Sequence, residues 1–329
     1  MEEVAFIVVT WNNESIIAEC LDSILAQQGI IPQIYLADNA STDSTVQVVR
    51  KYAGVHLVRS NKNLGFARAN NILIDAVMRT TGIRWVALVN SDARLTPEWT
   101  RTLIDFAKDR SGVAGLQGQT LDYFDHSIVD SQHIFLSGAL QGIQYGYGKP
   151  YEPGADFPRK VMGVNAAAAL WTRDFIEHQP DSHSRFFDER FHMYYEDIDV
   201  AFRGFVAGYD SYFVPEAVAY HMGSVSAKKK RPSYSVTMLS RNQPAVIVKN
   251  APVSVIVRSL PAAVYAWTVF LRQVAHEHSW TTAALAVANT IRGVLSLPRY
   301  LSSRRDVMAA ISRDPSYILA VMRNDGMLG

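Results

Sequence analysis

Short apolar runs alternate with amphipathic segments along the first 120 residues of the chain. The apolar runs lie at 4–10, 33–39, 55–60 and 85–91. Each is apolar along most of its length, which is typical of parallel strands that are covered on both faces. The segments between them have helical periodicity and lie near 14–28, 43–53, 65–80 and 97–109. This alternation predicts an α/β fold with a doubly wound, mostly parallel sheet.

The pattern becomes irregular over residues 120–160, which are rich in Gly, Tyr and Asp and have no clear period. This composition predicts an irregular insertion that forms a lid or an acceptor wall. Regular signals return at 161–172. They continue with a helix from about Tyr195 to Ala207 and a strand at 209–221.

The pattern of apolar and charged residues changes again from Pro232 onward, where single arginines interrupt apolar stretches. We therefore divide the chain into a domain of residues 1–231 and a helical C-terminal region of residues 232–329. Within the domain, we distinguish a first half of about 1–118 and a second half of about 119–231.

The C-terminal region is open to two interpretations. Its longest stretches without Lys, Arg, Asp or Glu have 13 residues (259–271) and 14 residues (278–291), fewer than the ~20 that span a bilayer. The helices therefore either pack on the domain or lie in a membrane interface, and arginines beside Trp, Tyr and Leu fit the interface. Nucleic-acid binding is disfavoured, because these arginines alternate with apolar runs and not with a stacking platform.

Charge is distributed unevenly, although the net charge of the whole chain is only +1. Residues 1–227 carry 18 Lys and Arg against 27 Asp and Glu, whereas residues 228–329 carry 14 against 4. A basic tail of this kind can meet anionic lipid or a phosphorylated substrate. The single cysteine, Cys20, excludes an intrachain disulfide framework. The first residues, MEEVAFIVVTW, lack the basic region of a secretory signal, so we expect a cytoplasmic protein, with the inner face of the membrane as a further site.

Polar residues follow each of the four predicted strands. The four segments are Thr10-Trp11-Asn12-Asn13, Asp38-Asn39-Ala40-Ser41-Thr42-Asp43, Asn61-Lys62-Asn63-Leu64-Gly65-Phe66 and Asn90-Ser91-Asp92. Ligands of open parallel sheets bind at the carboxyl ends of the strands, so these segments should meet at one site. The absence of GxGxxG and GxxxxGK[ST] from the sequence weighs against a dinucleotide fold and excludes a P-loop.

Six segments of this chain resemble, in order and spacing, the motifs of the family 2 inverting glycosyltransferases with the GT-A fold. They are VVTWNN, LADNASTDST, NKNLGFARANN, LVNSDARL, FFDERFHMYYEDIDVAFR and VPEAVAYHMGSVS, and the resemblance covers about residues 4–250. Within that family the chain is most similar to bacterial rhamnosyltransferases of cell-surface polysaccharide synthesis. The resemblance implies a Rossmann-like GT-A domain, in which the half of about 1–118 would hold the nucleotide sugar and the half of about 119–231 would form the acceptor side. It also implies transfer of a sugar, with dTDP-rhamnose as the favoured donor, to a hydroxyl of a polyprenyl-diphosphate-linked or polysaccharide acceptor.

The resemblance assigns a nucleotide-sugar site. Asp38 would accept a hydrogen bond from N3–H of uracil or thymine, a role that suits a carboxylate, although Asp in DNAS is also a common turn former. The other residues implied on this side are Thr10, Trp11, Asn12, Asn63, Arg68, Asn90, Asp92 and Lys228. For Arg68 an exposed position on a helix is an equal alternative, and for Lys228 a solvated loop is.

The resemblance also implies a divalent cation. Asn90-Ser91-Asp92 stands at the position of the family's DXD motif, and Asp92 would bind Mg²⁺ or Mn²⁺ together with the donor diphosphate. His221 matches the family's histidine that closes over the diphosphate, often as a metal ligand. A lone histidine of this kind is otherwise a structural residue.

A run of three carboxylates opens the predicted helix after residue 195. The resemblance makes Asp197 the general base that takes the proton of the acceptor hydroxyl; the alternative is that these acids only stabilise the helix dipole. Asp188, Glu189 and Glu196 would shape the acceptor side. Asp199 and Arg203 are spaced for an i,i+4 pair and are expected to be structural.

Three other functions remain open from the sequence. The same reaction could use another donor, such as a UDP-hexose or a GDP-sugar. A nucleotidyltransferase would need a glycine-rich basic loop after the first strand, where this chain has TWNNESI. A non-catalytic scaffold of a polysaccharide assembly complex would be favoured by loss of the catalytic Asp, and Asp197 is present.

Overall fold

The structure is a computed structural model, and it describes residues 1–223 and 232–328. The strands are β1 (Glu2–Thr10), β2 (Ile30–Asp38), β3 (His56–Arg59), β4 (Trp85–Val89), β5 (Ala93–Leu95), β6 (Val113–Asp122), β7 (Val129–Ser131), β8 (His133–Leu136), β9 (Gly142–Tyr145), β10 (Arg159–Val161), β11 (Ala168–Thr172) and β12 (Asp210–His221). The helices are α1 (Ile17–Leu25), α2 (Thr45–Val49), α3 (Phe66–Met78), α4 (Trp99–Ala107), α5 (Arg173–His178), α6 (Glu196–Val206), α7 (Pro232–Asn250), α8 (Val253–Glu277), α9 (Trp280–Leu295), α10 (Leu301–Ala310) and α11 (Pro315–Arg323), with a 3₁₀ turn at Leu297–Tyr300.

A mixed sheet forms the centre of the domain, with the strand order β10-β12-β6-β11-β4-β1-β2-β3. The half formed by β4, β1, β2 and β3 is entirely parallel. On the other side, β11 runs antiparallel to both β4 and β6, and β6 is parallel to β12. This arrangement confirms the predicted α/β class with a mostly parallel sheet.

Alternate residues of β1 point into different layers of the core. Phe6 and Val8 pack with Trp99 of α4 on one face of the sheet. Ile7 packs with Leu73 of α3 on the other face. Because both faces are covered, residues 4–9 of β1 are all apolar, and this is the pattern that identified the strand from the sequence.

The segment 120–160 differs from the expected irregular insertion. The long strand β6 continues to Asp122, and β7, β8 and β9 follow within the segment. β7 pairs with β6, and β8 pairs with β9 in a separate two-stranded sheet. These strands have three or four residues each, too few to show a period in the sequence, and pairing with neighbouring strands of the same segment stabilises them.

The C-terminal helices pack on the domain through α7. Val246 lies in one core cluster with Phe202 and Phe205 of α6. Pro244 interrupts the hydrogen bonding of α7, and the carbonyl of Ser240, four residues before it, accepts a hydrogen bond from the Thr290 hydroxyl of α9 at 3.3 Å. The interpretation of these helices as packed on the domain is therefore correct for α7.

A buried ionic cluster joins α7 to the domain. The ammonium of Lys249 lies 2.8 Å from Asp181, 3.0 Å from Asp188 and 2.9 Å from Asp199, and all four side chains are buried. Asn250 donates a further hydrogen bond to Asp199 at 2.8 Å. Burial raises the pKa of Asp181, but Lys249 outweighs this effect and the net pKa lies well below its usual range.

Helix α8 leaves most of its surface exposed. Its 25 residues are apolar and long enough to cross a membrane by length and composition, with a mean hydropathy of 1.5 in its most apolar window and only 11% of that window buried. This differs from the expectation that the apolar stretches of this region are too short to span a bilayer. Runs without any charge are shorter only because Arg258 and Arg272 interrupt an otherwise apolar helix.

Replacing Lys249 tests the ionic cluster. We expect Lys249→Met to lower the free energy of unfolding by about 3–5 kcal/mol, because three buried carboxylates would lose their shared ammonium, with Arg190 left beside Asp188 and Arg203 beside Asp199. The control Lys160→Met, whose ammonium pairs with Asp210 and is 46% exposed, should cost at most about 1 kcal/mol. Urea unfolding measures both.

The pH dependence of this difference has a definite sign. The pKa values of Asp181 and Asp188 are depressed in the folded state, so these two carboxylates stabilise the wild type above their unfolded pKa of about 4, and this stabilisation is lost as the pH falls. The gap between wild type and Lys249→Met should therefore narrow in acid. A gap that is small at pH 7, or equal at pH 3 and pH 7, would contradict the ionic cluster.

Candidate active site

A cavity of about 270 Å³ opens at the carboxyl ends of β1 and β4. Strand pairing brings Thr10 level with Asp38, and the turn after β4 places Asn90 and Asp92 beside them. The predicted site residues that line this cavity are Thr10, Trp11, Asn63, Asn90, Asp92, Glu196, Asp197 and His221. The structure thus brings together residues from the ends of β1, β4 and β12, the loop before α3 and the start of α6.

His221, the last residue of β12, is held between two carboxylates. Its Nε2 lies 3.4 Å from Asp92 Oδ1 and 3.2 Å from the amide nitrogen of Asn90. Its Nδ1 lies 3.0 Å from Asp130 Oδ2. Burial lowers the pKa of His221, but hydrogen bonds and charge from Asp130 and Asp92 prevail and raise it to about 10.

The residues around His221 fit a divalent cation that a bound diphosphate helps to hold. Asp92 supplies a carboxylate oxygen on this wall of the cavity, and His221 would supply an imidazole nitrogen once it gives up the proton that its raised pKa retains. The part of the chain that the structure describes has no cluster of three acidic, His or Cys side chains able to hold a metal alone. A cation here would need oxygen ligands from elsewhere, which is how Mg²⁺ is commonly bound between one or two carboxylates and substrate phosphates.

Two adjacent acids of α6 face the cavity in different states. Asp197 is half-buried, its Oδ1 accepts the backbone N–H of Ile198 at 2.8 Å, and burial raises its pKa to about 6. Burial, together with charge from Asp197 and Asp199, raises the pKa of Glu196 well above its usual value. Glu196 Oε2 is buried and has no hydrogen-bond partner within residues 1–223 and 232–328. Both acids therefore have raised pKa values, and Asp197 is the more exposed of the two.

The segment that leads into α6 has an unusual backbone. His192, Tyr194 and Tyr195 all have positive φ, at 65°, 66° and 72°. The carbonyl of His192 accepts the backbone N–H of Phe66 at 2.8 Å, at the N-terminus of α3. Met193 and Tyr194 line the cavity next to the acid pair. Strained residues of this kind persist only where the surrounding structure fixes them.

A second cavity adjoins the first beyond Asn39, which lines both. Asp38 lies in this second cavity and is 1% exposed. Its Oδ1 accepts the backbone N–H of Ser41 at 3.2 Å, and the guanidinium of Arg59 lies 3.8 Å from Oδ2. Asp38 Oδ2 accepts no hydrogen bond within the described part of the chain, so it is a buried acceptor that faces a cavity.

Five of the predicted residues that the structure describes do not line the first cavity: Asp38, which lies in the second cavity, and Asn12, Arg68, Asp188 and Glu189. Asn12 accepts the backbone N–H of Thr42 at 2.8 Å, and Arg68 and Glu189 face each other at 3.8 Å near the surface. Asp188 is buried in the ionic cluster of Lys249 and also binds Arg190 at 2.6 Å. Its contacts are those of a structural residue and not of an acceptor wall. Lys228 lies outside the described residues.

Several residues of the site were not singled out from the sequence. Asp130 lies in the segment without a period, and no local signal marks it. Asn39 does have a local signal, because it directly follows Asp38 at the end of β2. Its side chain accepts the Leu64 N–H at 2.7 Å and donates to the Gly65 carbonyl at 3.2 Å. The remaining polar residues of this kind that line the cavity are Ser91, Gln144, Asn165 and Tyr194.

Comparison with known proteins decides the family. A family model described as glycosyl transferase family 2 matches residues 5–175, slightly more than half of the chain. The chain belongs to glycosyl transferase family 2. This confirms the resemblance that the sequence motifs carry.

Two curated relatives of this family 2 protein are informative. It is 30% identical over 206 residues to an N-acetylglucosaminyl-diphospho-decaprenol L-rhamnosyltransferase of Mycobacterium tuberculosis, a match that covers 57% of this chain and 66% of that protein. It is 28% identical over 135 residues to the succinoglycan biosynthesis protein ExoO of Rhizobium meliloti, covering 38% of each chain. The chain therefore spans just under two thirds of the first relative and less of the second.

Solved structures support the GT-A fold of this family 2 protein. It superimposes on S. aureus TarS, in a fragment, with a TM-score of 0.56 at 16% identity, covering 98% of this chain and 92% of that one. It superimposes on the mannosyltransferase PcManGT of Pyrobaculum calidifontis, a complex with GDP-Man and Mn²⁺, with a TM-score of 0.51 at 19% identity, covering 93% and 85%. At these identities the likeness concerns the fold alone.

Gly65 tests the contact between α3 and the strained segment. A Cβ at Gly65 would lie 2.6 Å from the His192 carbonyl oxygen, whereas at Gly82 it would meet no described atom within 4 Å. Both glycines have positive φ, at 81° and 90°, so Gly82→Ala is a matched control for backbone strain. We expect Gly65→Ala to cost about 1–3 kcal/mol more than Gly82→Ala in urea unfolding, because the segment must move. If both variants lost the same free energy of unfolding, position 65 would not lie close to the His192 carbonyl.

Proposed function

We propose that this family 2 protein is an inverting glycosyltransferase that moves a sugar from a nucleotide-diphosphate donor to an acceptor hydroxyl. The observation that carries the proposal is that Asp92 and His221 line the same cavity as Asp197. A group suited to a charged diphosphate and a group suited to a hydroxyl proton therefore share one site. The cavity lies where α/β sheets bind their ligands.

Asp92 and His221 would hold the diphosphate end of the donor. A divalent cation bound there supplies charge neutralisation of the leaving diphosphate. Asp130 binds the far nitrogen of His221 and so fixes the orientation of the imidazole ring. The amide of Asn90, 3.2 Å from His221 Nε2, lies within reach of the same group.

Asp197 would act as the general base. Its pKa of about 6 leaves it largely ionised at neutral pH, and it is a stronger base than an ordinary carboxylate. The acceptor hydroxyl oxygen forms its bond to the anomeric carbon as the bond to the diphosphate breaks, and the hydroxyl proton passes to Asp197. Displacement from the opposite face needs this single base and inverts the anomeric centre. Glu196, protonated beside it, would donate a hydrogen bond to a substrate oxygen.

The second cavity would hold the base of the nucleotide. Asp38 Oδ2 is a buried acceptor without a hydrogen bond in the described chain, and the imide N–H of uracil or thymine is a matching donor. Asn39, which lines both cavities, would stand between the base and the diphosphate.

For the substrates we favour dTDP-rhamnose and a glycan linked to polyprenyl diphosphate. The support is the mycobacterial relative, whose name gives rhamnosyl transfer to an N-acetylglucosaminyl-diphospho-decaprenol. The ExoO relative is named for polysaccharide biosynthesis, in line with a cell-envelope role. A UDP-hexose donor is the second candidate, because the imide of uracil would serve Asp38 as well as that of thymine.

Asp197→Asn tests the base. We expect it to lower the rate of transfer by about 10²–10⁴-fold, because an amide cannot take the hydroxyl proton, and to leave donor affinity unchanged. The control is Asp174→Asn, which removes an exposed acid from the first turn of α5. In the wild type, kcat should fall about tenfold per pH unit below pH 6, since Asp197 is then protonated. Transfer near the wild-type rate in Asp197→Asn would exclude this residue as the base.

We also infer that the exposed apolar face of α8 and α9 lies against an anionic membrane surface. In α8, Val253, Val257, Leu260 and Val264 follow one another at helical spacing, and each is 48–64% exposed. In α9, Val287, Ile291 and Val294 continue the same pattern. A solvent-facing apolar stripe is the reverse of a helix packed on a soluble core and is typical of an interfacial helix.

Arginines around the stripe favour anionic lipid as the partner. The exposed arginines of these helices and of the following turns are Arg258, Arg272, Arg292, Arg299 and Arg305. Basic side chains on the polar face are attracted by anionic headgroups while the apolar face enters the lipid. An acceptor on a polyprenyl diphosphate would be presented at the same surface.

Liposome sedimentation tests the membrane surface. We expect the double variant Val257→Asp/Val264→Asp to bind vesicles of phosphatidylglycerol and phosphatidylcholine at least about tenfold more weakly than the wild type, because two charges would enter the apolar layer. The control Phe124→Asp replaces a side chain of the domain that is 73% exposed. Equal binding of the double variant and the wild type would contradict the proposal.

A further inference from the structure

The C-terminal region contacts the segment beside the active site through a buried side chain of α7. Asn242 of α7 is 1% exposed, and its amide nitrogen lies 3.0 Å from the carbonyl of Phe191, 3.0 Å from that of Met193 and 2.8 Å from that of Tyr194. These carbonyls belong to the strained segment that leads into α6. The NH₂ group has two N–H donors, and three carbonyls of this irregular backbone lie within hydrogen-bond distance of it.

The same segment is held from the opposite side by the nucleotide half of the domain. The His192 carbonyl accepts the Phe66 N–H at 2.8 Å, and Gly65 packs directly against His192. Between these two contacts the backbone turns through positive φ at His192, Tyr194 and Tyr195. Each such residue costs free energy, so contacts on both sides are needed to hold the conformation.

The strained segment ends at the acid pair. Tyr195 is the residue before α6, and Glu196 and Asp197 are its first two residues. Met193, Tyr194, Glu196 and Asp197 all line the cavity. A shift of the segment by a fraction of an ångström would therefore move the Asp197 carboxylate relative to the donor.

We propose that Asn242 is a positioning residue for the reaction: its amide holds the 191–195 segment so that Asp197 meets the acceptor hydroxyl. The proposal rests on the proposed function, in which Asp197 is the base. It gives the C-terminal region a role in catalysis in addition to membrane contact. Proton transfer depends steeply on geometry, whereas the diphosphate is held by Asp92 and His221, which lie outside this segment.

Asn242→Asp keeps the shape of the side chain and removes the N–H donors. We expect kcat to fall by about 10–100-fold with the affinity for nucleoside diphosphate changed less than threefold. Hydrogen–deuterium exchange of the peptide covering 190–200 should become faster, since the segment loses its clamp. Asn242→Ser, which is milder, should show the same changes to a smaller degree and replaces the first variant if that one does not fold.

Asn289→Leu is the matched control. Asn289 is a buried asparagine of the same helical region, 2% exposed, and it donates at 2.8 Å to Leu285 within its own helix. Its replacement should lower stability by a similar amount and leave kcat and the exchange of 190–200 unchanged. A purely structural role for Asn242 would make the two variants alike, and that result would overturn the proposal.

The Asp197→Asn variant, assayed in parallel, distinguishes a failure of the proposed base from a failure of the positioning role. If Asp197→Asn is inactive and both Asn242 variants keep kcat within twofold of the wild type, the positioning role is overturned and the proposed base stands. If Asp197→Asn transfers sugar at the wild-type rate, the base and the positioning role that acts through it are both overturned. Loss of kcat in both, with faster exchange only in the Asn242 variants, supports both.

Discussion

The buried ammonium of Lys249 is the contact on which the arrangement of this molecule depends. It neutralises Asp181, Asp188 and Asp199, three carboxylates that would be costly to bury alone. Asp199 belongs to α6, the helix whose first turn carries Asp197. The C-terminal region is thus an integral part of the protein, because the domain would otherwise hold three buried carboxylates with Arg190 and Arg203 as their partners and without the shared ammonium.

Charge is arranged differently on the two sides of the first cavity, which Asp92, Asp197 and His221 line. On one side His221 lies between Asp92 and Asp130, and the carboxylates raise its pKa to about 10. On the other side burial raises the pKa of Asp197 to about 6. A site with a cationic group near one carboxylate and a basic carboxylate apart from it suits a reaction in which negative charge leaves at one end and a proton leaves at the other.

The parallel half of the fold could be predicted from the sequence because both faces of its strands are buried, and each strand is therefore a plain apolar run. The polar residues at the strand ends could be predicted because they directly follow these apolar runs. Thr10, Asn90 and Asp92 do line one cavity. Asp130, Asn242 and Lys249 could not. Their roles depend on contacts that span 91, 51 and 61 positions of the chain, and no local pattern marks a residue for such a partner. Asp188 shows the converse: its motif indicated the acceptor side, and only the position of Lys249 reveals its structural contacts.

Donor binding measured by calorimetry tests whether the first cavity is a metal-dependent nucleotide-sugar site. Wild type and Asp92→Asn would be titrated with dTDP-rhamnose, UDP-galactose, UDP-N-acetylglucosamine and GDP-mannose, each with and without Mn²⁺. A metal-dependent nucleotide-sugar site predicts that the wild type binds one donor more tightly with Mn²⁺, and that Asp92→Asn loses this gain. Binding that is the same with and without the metal, or unchanged in Asp92→Asn, would contradict the proposed site. Failure of the wild type to bind any of the four would contradict the favoured donors.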